Sequence, residues 1–293
     1  MAAKGPAVFR ALRPNHWIKN VFVFAALVFA QKLGDPEAIA RSLGAFVVFC
    51  LLSSAVYLLN DILDREADRA HPVKRHRPIA SGDVSVATAG TLSVVLAVAG
   101  LGGALMLGTG FATIASAYVF MNIAYSLRLK RVVILDVMLV AAGFLLRAWG
   151  GAVVLGVEMS RWLILCTGLI ALFLGFVKRR QEIAGQAPSE STRPILREYS
   201  LPFLDQMIAI VTSSTLLAYA LYVFSAEVAD KLGTRYMGLT LPFVLFGIFR
   251  YLYLVHQRGQ GESPTEVVVR DGPLVATFLL WGMACLVALY LLH

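Results

Sequence analysis

The sequence is poor in charged residues and in cysteine. Only 15% of its 293 residues are Asp, Glu, Lys or Arg, whereas soluble domains contain about 25%. Its cysteines, Cys50, Cys166 and Cys285, lie far apart within apolar runs, so they offer neither a disulfide framework nor zinc-ligand spacing. The sequence also contains no Gly-x-x-x-x-Gly-Lys-Ser/Thr loop and no His-Glu-x-x-His pair. These absences disfavour a disulfide-rich secreted domain, a zinc hydrolase and a P-loop nucleotide-binding enzyme.

What the chain has instead is apolar residues, which make up 58% of it and give a mean hydropathy of +0.73. They are gathered into long runs and not spread at amphipathic spacing, which indicates that lipid surrounds most of the protein. The runs predict an all-α polytopic membrane helical bundle of about nine transmembrane helices, forming one integral-membrane domain over residues 1–293. The predicted spans are 18–30, 42–59, 84–106, 110–127, 133–156, 161–177, 203–226, 236–255 and 273–292.

The net charge of +8 is unevenly distributed over the loops between these spans. With a cytoplasmic N-terminus, twenty Lys and Arg residues fall on the inner side, five fall on the outer side, and Arg147 lies within a span. The positive-inside rule therefore predicts a multi-pass protein of the cell membrane with its N-terminus in the cytoplasm. No zinc-finger or RNA-binding motif supports a nucleic acid as the partner of this positive charge.

The main candidate site is the stretch Asn60 to Gly82, NDILDREADRAHPVKRHRPIASG, which follows the second span on the cytoplasmic side. If the helix continues through it, Asn60, Asp61, Asp64 and Asp68 share one face within an arc of roughly 100°. Carboxylates at that spacing repel one another unless a cation lies among them, and hard oxygen ligands of this kind suit Mg²⁺ with a bound diphosphate. The pattern therefore predicts a magnesium site.

Basic residues follow the acids directly. Lys74, Arg75 and Arg77 supply donors for phosphate oxygens, Arg as a planar fork and Lys as a point charge. The alternative is a solvated loop beside the membrane, in which acids and bases only pair with each other. Three acids on one helical face exceed what solubility requires, which favours a functional site.

Two further constellations lie on the same side of the membrane. Asp136, Gly143 and Arg147 stand at i, i+7 and i+11 of the fifth span, so that an acid and an arginine follow one helical stripe and should face the bundle interior. These residues could act on substrate, pair with a neighbouring helix or serve a transporter. The loop after the sixth span opens with Lys178 and Arg179, which could bind a second anionic group, although Lys178 and Glu182 could also form an i,i+4 pair.

With these motifs the chain resembles the UbiA prenyltransferase superfamily over nearly its whole length. The resemblance is carried by Asn-Asp-x-x-Asp-x-x-x-Asp at Asn60–Asp68, Arg-Pro-Ile-Ala-Ser-Gly at Arg77–Gly82 and Tyr-Ser…Leu-Lys…Leu-Asp at Tyr125–Asp136. Aromatic prenyltransferases of this superfamily usually carry a second Asp-x-x-x-Asp motif after the sixth helix, where this chain has Lys178–Glu182, KRRQE. Bases in place of acids argue for an additional anionic ligand and against a second metal cluster.

This departure, together with RPNHWIKN at Arg13–Asn20 and GFLLR at Gly143–Arg147, makes the chain similar to the branch of the superfamily that builds lipid-linked ribose for cell-wall arabinan. The resemblance implies transfer of a phosphoribosyl group from phosphoribosyl diphosphate to a polyprenyl phosphate, with Mg²⁺ as cofactor. Alternatives are transfer of a polyprenyl group to an aromatic acceptor, and a membrane transporter. A homo-oligomer is left open.

The resemblance also implies a role for each candidate residue. Mg²⁺ and diphosphate are assigned to Asn60, Asp61, Asp64 and Asp68; phosphates to Lys19, Lys74, Arg75, Arg77, Lys130, Lys178 and Arg179; the sugar to Tyr125 and Asp136; and substrate contact to Arg147. Asp64, Asp68 and Asp136 are the expected catalytic residues.

Overall fold

A computed structural model describes residues 5–185, 194–259 and 264–292, in which helices and connecting turns occur but no strand. Contacts divide these residues into two compact units. The first unit contains residues 5–27, 32–159 and 194, and the second contains 28–31, 160–185, 195–259 and 264–292. The single domain expected from the sequence stays a prediction.

The described residues contain fourteen α-helices. They are α1 (Ala7–Ala11), α2 (Ala25–Phe29), α3 (Pro36–Leu63), α4 (Arg65–Ala70), α5 (Pro78–Ser81), α6 (Val86–Leu107), α7 (Thr109–Leu127), α8 (Leu135–Val154), α9 (Arg161–Ala184), α10 (Leu201–Phe224), α11 (Ala226–Leu232), α12 (Leu241–Arg258), α13 (Pro264–Arg270) and α14 (Gly272–Tyr290). Several starts are fixed by local chemistry. At α3, Asp35 accepts hydrogen bonds from the amides of Glu37 and Ala38 while Pro36 occupies the first turn.

Eight helices of the described residues are long and apolar enough to cross a membrane. They are α3, α6, α7, α8, α9, α10, the stretch Tyr236–Arg258 that ends with α12, and α14. The predicted all-α, multi-pass membrane architecture is therefore confirmed. The eight crossings match the second to ninth predicted spans.

The first predicted span, 18–30, differs in conformation. Its residues 18–24 belong to an 11-residue 3-10 helix, Pro14–Phe24, which is followed by the five residues of α2. A 3-10 helix rises about 2.0 Å per residue and an α-helix about 1.5 Å, so together they extend about 30 Å, the thickness of a bilayer core. The segment runs antiparallel to α3, because Trp17 donates to Ser54 and Phe24 packs on Phe46. The first predicted span is therefore partly a 3-10 segment and not one continuous α-helix.

Some glycines of the first unit allow close packing between its elements. A Cβ added at Gly151 of α8 would lie 1.9 Å from the carbonyl oxygen of Val23, and one at Gly100 of α6 would lie 2.6 Å from Leu52. Gly102, by contrast, has nothing within 4 Å. Gly151 therefore lets the backbone of the 3-10 segment lie directly on α8.

Each unit has its own buried core. In the first unit the rings of Phe111 and Tyr118 meet Phe49 edge to face, with centroids 5.7 and 5.4 Å away. In the second unit the Tyr219 hydroxyl contacts Thr240 and receives a hydrogen bond from Trp281. All three cysteines are free thiols, as the sequence predicts.

Candidate active site in the first unit

The acid-bearing stretch lies where α3 ends. The structure breaks the expected continuous helix at Asp64, between α3 and α4. The amides of Asp64 and Asp68 nevertheless donate to the carbonyls of Asn60 and Asp64, at 2.9 and 2.8 Å, so the i to i−4 pattern continues across the break. Asp61 and Asp68 remain close together across the break, since both contact Arg77.

Arg77 joins these two carboxylates. Its Nη1 lies 3.2 Å from Oδ1 of Asp61 and 2.6 Å from Oδ2 of Asp68, and the guanidinium of Arg13 contacts the same Asp61 oxygen. Both acids are buried, with 2% and 4% of their surface exposed. Two buried carboxylates this close require positive charge between them. Arg13 and Arg77 supply it here.

Asp64 has a different partner. Lys130, in the 3-10 turn Leu129–Arg131 before α8, donates to its Oδ1 at 2.6 Å. The turn after α7 therefore meets the acids that follow α3. The sequence predicted Lys130 as a phosphate-binding residue, and the structure places its ammonium group at one of the predicted metal ligands.

The other predicted bases of the loop lie on a turn organised by His71. Nδ1 of this buried histidine accepts hydrogen bonds from the amides of Val73 and Lys74, at 3.1 and 3.4 Å. Arg75 is exposed and donates to His76. Of the three bases predicted here, the structure therefore joins Arg77 to the acids and gives Lys74 and Arg75 positions on the adjacent turn.

The charged stripe of α8 faces inward, as predicted, since Asp136, Gly143 and Arg147 are all buried. Arg147 donates to Oδ1 of Asn20 at 2.7 Å, to the Gly143 carbonyl at 2.7 Å and to the Tyr118 hydroxyl at 2.8 Å. A Cβ at residue 143 would lie 3.3 Å from its Nη1, so glycine leaves room for the guanidinium. Arg147 thus ties the 3-10 segment to α7 and α8.

Lys19 and Tyr125, both predicted to contact substrate, are partly exposed in the first unit. Lys19 lies beside Asn20, whose amide also donates to Cys50 and Ser53 of α3. The contact between Asn20 and Arg147 fixes the backbone that carries Lys19.

Lys178 and Arg179 belong to the second unit, in the last turns of α9. Arg179 is buried and donates to Glu182 at 2.6 Å, and Lys178 is half-buried. Arg180 pairs with Asp205 of α10. The basic cluster is therefore built into the helix and its charges are partly compensated.

Sequence reasoning missed Arg13, which it counted only as a charge that sets the orientation. The structure brings this residue to Asp61 and places its guanidinium 5.2 Å from the Tyr57 ring centroid. Its backbone has φ 54°, in the left-handed region that non-glycine residues rarely adopt. The one available signal was its place at the start of the Arg13–Asn20 motif.

The donor set fits a hard cation, because three carboxylates and the Asn60 amide offer oxygen ligands of the kind that Mg²⁺ takes. Arg77 already places a cationic nitrogen between Asp61 and Asp68. Within the described ranges, no three His, Cys, Asp or Glu side chains are grouped closely enough to hold a metal as they stand. Asp64 contacts Lys130.

Comparison with known proteins shows the family and the fold of the chain. A model of the UbiA prenyltransferase family matches residues 20–267. The decaprenyl-phosphate phosphoribosyltransferase of Corynebacterium glutamicum is 33% identical over 97% of this chain and 87% of that protein. The protein of the same name from Mycolicibacterium smegmatis is 35% identical over 94% and 89%. The structure of a UbiA homolog from Archaeoglobus fulgidus bound to GPP and Mg²⁺ aligns with a TM-score of 0.73 at 17% identity, covering 95% of this chain and 99% of that one, which shows a common fold.

Proposed function

Because the chain belongs to the UbiA prenyltransferase family, we propose that it transfers the 5-phosphoribosyl group of phosphoribosyl diphosphate to a polyprenyl phosphate and releases diphosphate. The observation that carries this proposal is the joining of Asp61 and Asp68 by Arg77, with Lys130 at Asp64. One cluster of acids with cationic side chains beside it suits a donor that carries one diphosphate group. The sequence KRRQE at the end of α9 suits a further phosphate.

In this proposal Asn60, Asp61, Asp64 and Asp68 hold Mg²⁺. When bound, the ion neutralises charge on the diphosphate leaving group. For Asp64 to join Asp61 and Asp68 it must release Lys130, whose ammonium group then becomes available to a phosphate oxygen. Asp64 and Asp68 thereby act as catalytic residues, since they position the leaving group.

The remaining residues bind and orient the substrates. The bond from the ribose C1 to diphosphate breaks while an oxygen of the lipid phosphate bonds to C1 from the opposite face, and C1 gains oxocarbenium character between the two. The lipid phosphate is already an anion near neutral pH, so no side chain has to remove a proton. The proposed catalytic contribution of the protein is positioning and charge neutralisation.

The individual assignments follow from charge and place. Asp136 and Tyr125 line the ribose, Arg147 contacts substrate from the bundle interior, and phosphate oxygens bind to Lys19, Lys74, Arg75, Arg77 and Lys130. Lys178 and Arg179 of the second unit keep their sequence-based assignment as phosphate-binding residues. The product would be a lipid-linked phosphoribose of the kind used for cell-wall arabinan, made at the cytoplasmic face of the cell membrane.

The test presents purified protein with Mg²⁺ and two donor and acceptor pairs. One pair is phosphoribosyl diphosphate with decaprenyl phosphate, and the other is a polyprenyl diphosphate with an aromatic acid. We expect consumption of the first donor alone, together with one diphosphate per lipid product. Consumption of the polyprenyl diphosphate alone would assign the chain to aromatic prenylation and overturn the proposal.

The Asp64→Asn variant separates an enzyme from a transporter. An enzyme that binds Mg²⁺ through Asp64 should lose turnover of phosphoribosyl diphosphate in this variant. An anion transporter without metal chemistry should keep its anion flux. Retained flux in vesicles, without any turnover by the wild-type protein, would contradict the proposal.

A further inference from the structure

Arg13 and Arg77 both reach the same oxygen of Asp61. Arg77 lies 3.2 Å from Oδ1, and Arg13 contacts that atom from the 3-10 segment. The side chain of Asp61 is 2% exposed and that of Arg13 19%, so water provides little of the solvation that these groups need. With Asp68 included, two guanidinium groups neutralise two carboxylates.

This arrangement disfavours a divalent cation at Asp61 while both arginines keep their places. Two N–H donors already use the lone pairs of Oδ1, and two guanidinium groups beside a divalent ion repel it. At least one arginine must turn to another anion when the acid cluster takes up a metal. The anion that arrives with the metal is the donor diphosphate, whose oxygens match the guanidinium fork.

Arg13 is better placed than Arg77 to make this move. Arg77 also bonds Asp68 at 2.6 Å, whereas Asp61 is the single carboxylate that Arg13 contacts within the described part of the chain. The backbone around Arg13 is anchored, because Ser54 donates to the Leu12 carbonyl and accepts from Trp17. The side chain can therefore turn without moving the 3-10 segment.

We propose that Arg13 is a further donor-binding residue: its guanidinium holds Asp61 in the metal-free protein and binds diphosphate oxygens once the carboxylate has taken up Mg²⁺. This inference rests on the proposed function. It assigns two opposite effects to Arg13. Without diphosphate, Arg13 competes with Mg²⁺ for Asp61; with diphosphate present, it strengthens the binding of Mg²⁺ and diphosphate together.

Calorimetric titration of the full-length protein in detergent tests both effects without measuring activity. The probes are Mg²⁺ alone, and inorganic diphosphate added in excess Mg²⁺. For Arg13→Gln we expect tighter binding of Mg²⁺ alone and about tenfold or more weaker binding of diphosphate, the size of one lost charge-assisted hydrogen bond. Arg13→Lys keeps the charge, so its Mg²⁺ affinity should stay close to wild type while diphosphate binding weakens severalfold.

The matched control is Arg10→Gln. Arg10 lies on the same N-terminal stretch and pairs with the exposed Asp83 at 3.1 Å, so this variant removes the same charge without touching Asp61. We expect both affinities to stay within about twofold of wild type, because exposed ion pairs have small effects.

The role of Arg13 would be overturned if Arg13→Gln weakened the binding of both Mg²⁺ and diphosphate, or changed neither. It would also be overturned if Arg10→Gln had the same effects as Arg13→Gln. If Arg13→Gln does not fold, unchanged diphosphate binding by Arg13→Lys would do the same. A wild-type protein that binds neither Mg²⁺ nor diphosphate would instead refute the proposed function itself.

Discussion

Asp61 and Asp68 are buried carboxylates, which are costly unless cations compensate them. Arg77 satisfies both through a single nitrogen. A change at either acid should therefore affect ligand binding strongly.

We predict that Asp68→Asn lowers phosphoribosyl transfer by about 100-fold or more, because a metal contributes several kcal/mol and each 1.36 kcal/mol is tenfold in rate. Steady-state kinetics at varied Mg²⁺ measures the loss. Asp83→Asn is the matched control, since Asp83 lies on the same loop but pairs with Arg10. Equal losses in both variants would show that the loop and not the acid is responsible.

The sequence singles out Asp61, Asp64, Asp68, Arg77 and Lys130 as candidates because they lie in compact motifs. Sequence reasoning missed Arg13, whose partner Asp61 is 48 residues away in the chain. No local pattern encodes such a pairing. The inward orientation of Arg147 was predictable from the cost of charge in lipid, but its partners Asn20 and Tyr118 were not.

At the scale of elements, the 3-10 segment Pro14–Phe24 is the main departure from the predicted helices. Hydrophobicity and length predict that a segment crosses the membrane, but they do not distinguish a 3-10 helix from an α-helix. The tertiary contacts that hold this segment include the Asn20 network and the close approach of Val23 to Gly151.

Gly151→Ala should therefore disturb this segment. Its Cβ would lie 1.9 Å from the Val23 carbonyl oxygen, so the backbone must shift. Overpacking of this kind costs roughly 1–3 kcal/mol. We expect a lower melting temperature in detergent and reduced activity, while Gly102→Ala, which has nothing within 4 Å, should melt close to wild type. Similar melting of the two variants would contradict the close packing.

In the second unit, Asp271 caps α14 and pairs with Arg250 at 2.9 Å. The hydrogen bond from Arg250 lowers the pKa of Asp271 below its usual value of 3.8. A carboxyl group whose pKa is lower in the folded than in the unfolded protein stabilises the fold at pH values above its unfolded-state pKa. This stabilisation is lost as the pH falls through the folded-state pKa.

Asp271→Asn keeps a capping oxygen but removes the charge. We expect its melting temperature to lie below that of wild type at neutral pH and the difference to shrink once the pH falls below about 3.8. Thermal melts over this range provide the measurement. A difference that grows toward acid pH would refute the stabilising role of the ion pair.

At the scale of the whole molecule, the distribution of Lys and Arg predicts the orientation of the chain in the membrane. The candidate site follows α3, and the stretch between α10 and α12 should lie on the opposite side. The distribution of Lys and Arg permits this prediction because the translocation of a loop across the membrane depends on its positive charge. The division of the contacts into two units depends on packing, which composition does not encode.

Cysteine labelling tests the orientation. We expect a membrane-impermeant maleimide to label Tyr236→Cys but not Val73→Cys in intact cells, and to label both after permeabilisation, because both positions are exposed. The wild-type protein is the control, with Cys50 and Cys285 buried and Cys166 half-buried. Labelling of residue 73 in intact cells would place the candidate site outside the cytoplasm.

The most direct test of the central claim, that the acids after α3 hold the diphosphate of the donor through a metal, is electron–nuclear double resonance of Mn²⁺ bound in place of Mg²⁺. We predict phosphorus couplings that appear when phosphoribosyl diphosphate is added to the wild-type protein and that disappear in Asp68→Asn. Couplings that are absent from the wild-type protein, or that persist unchanged in Asp68→Asn, would contradict the claim.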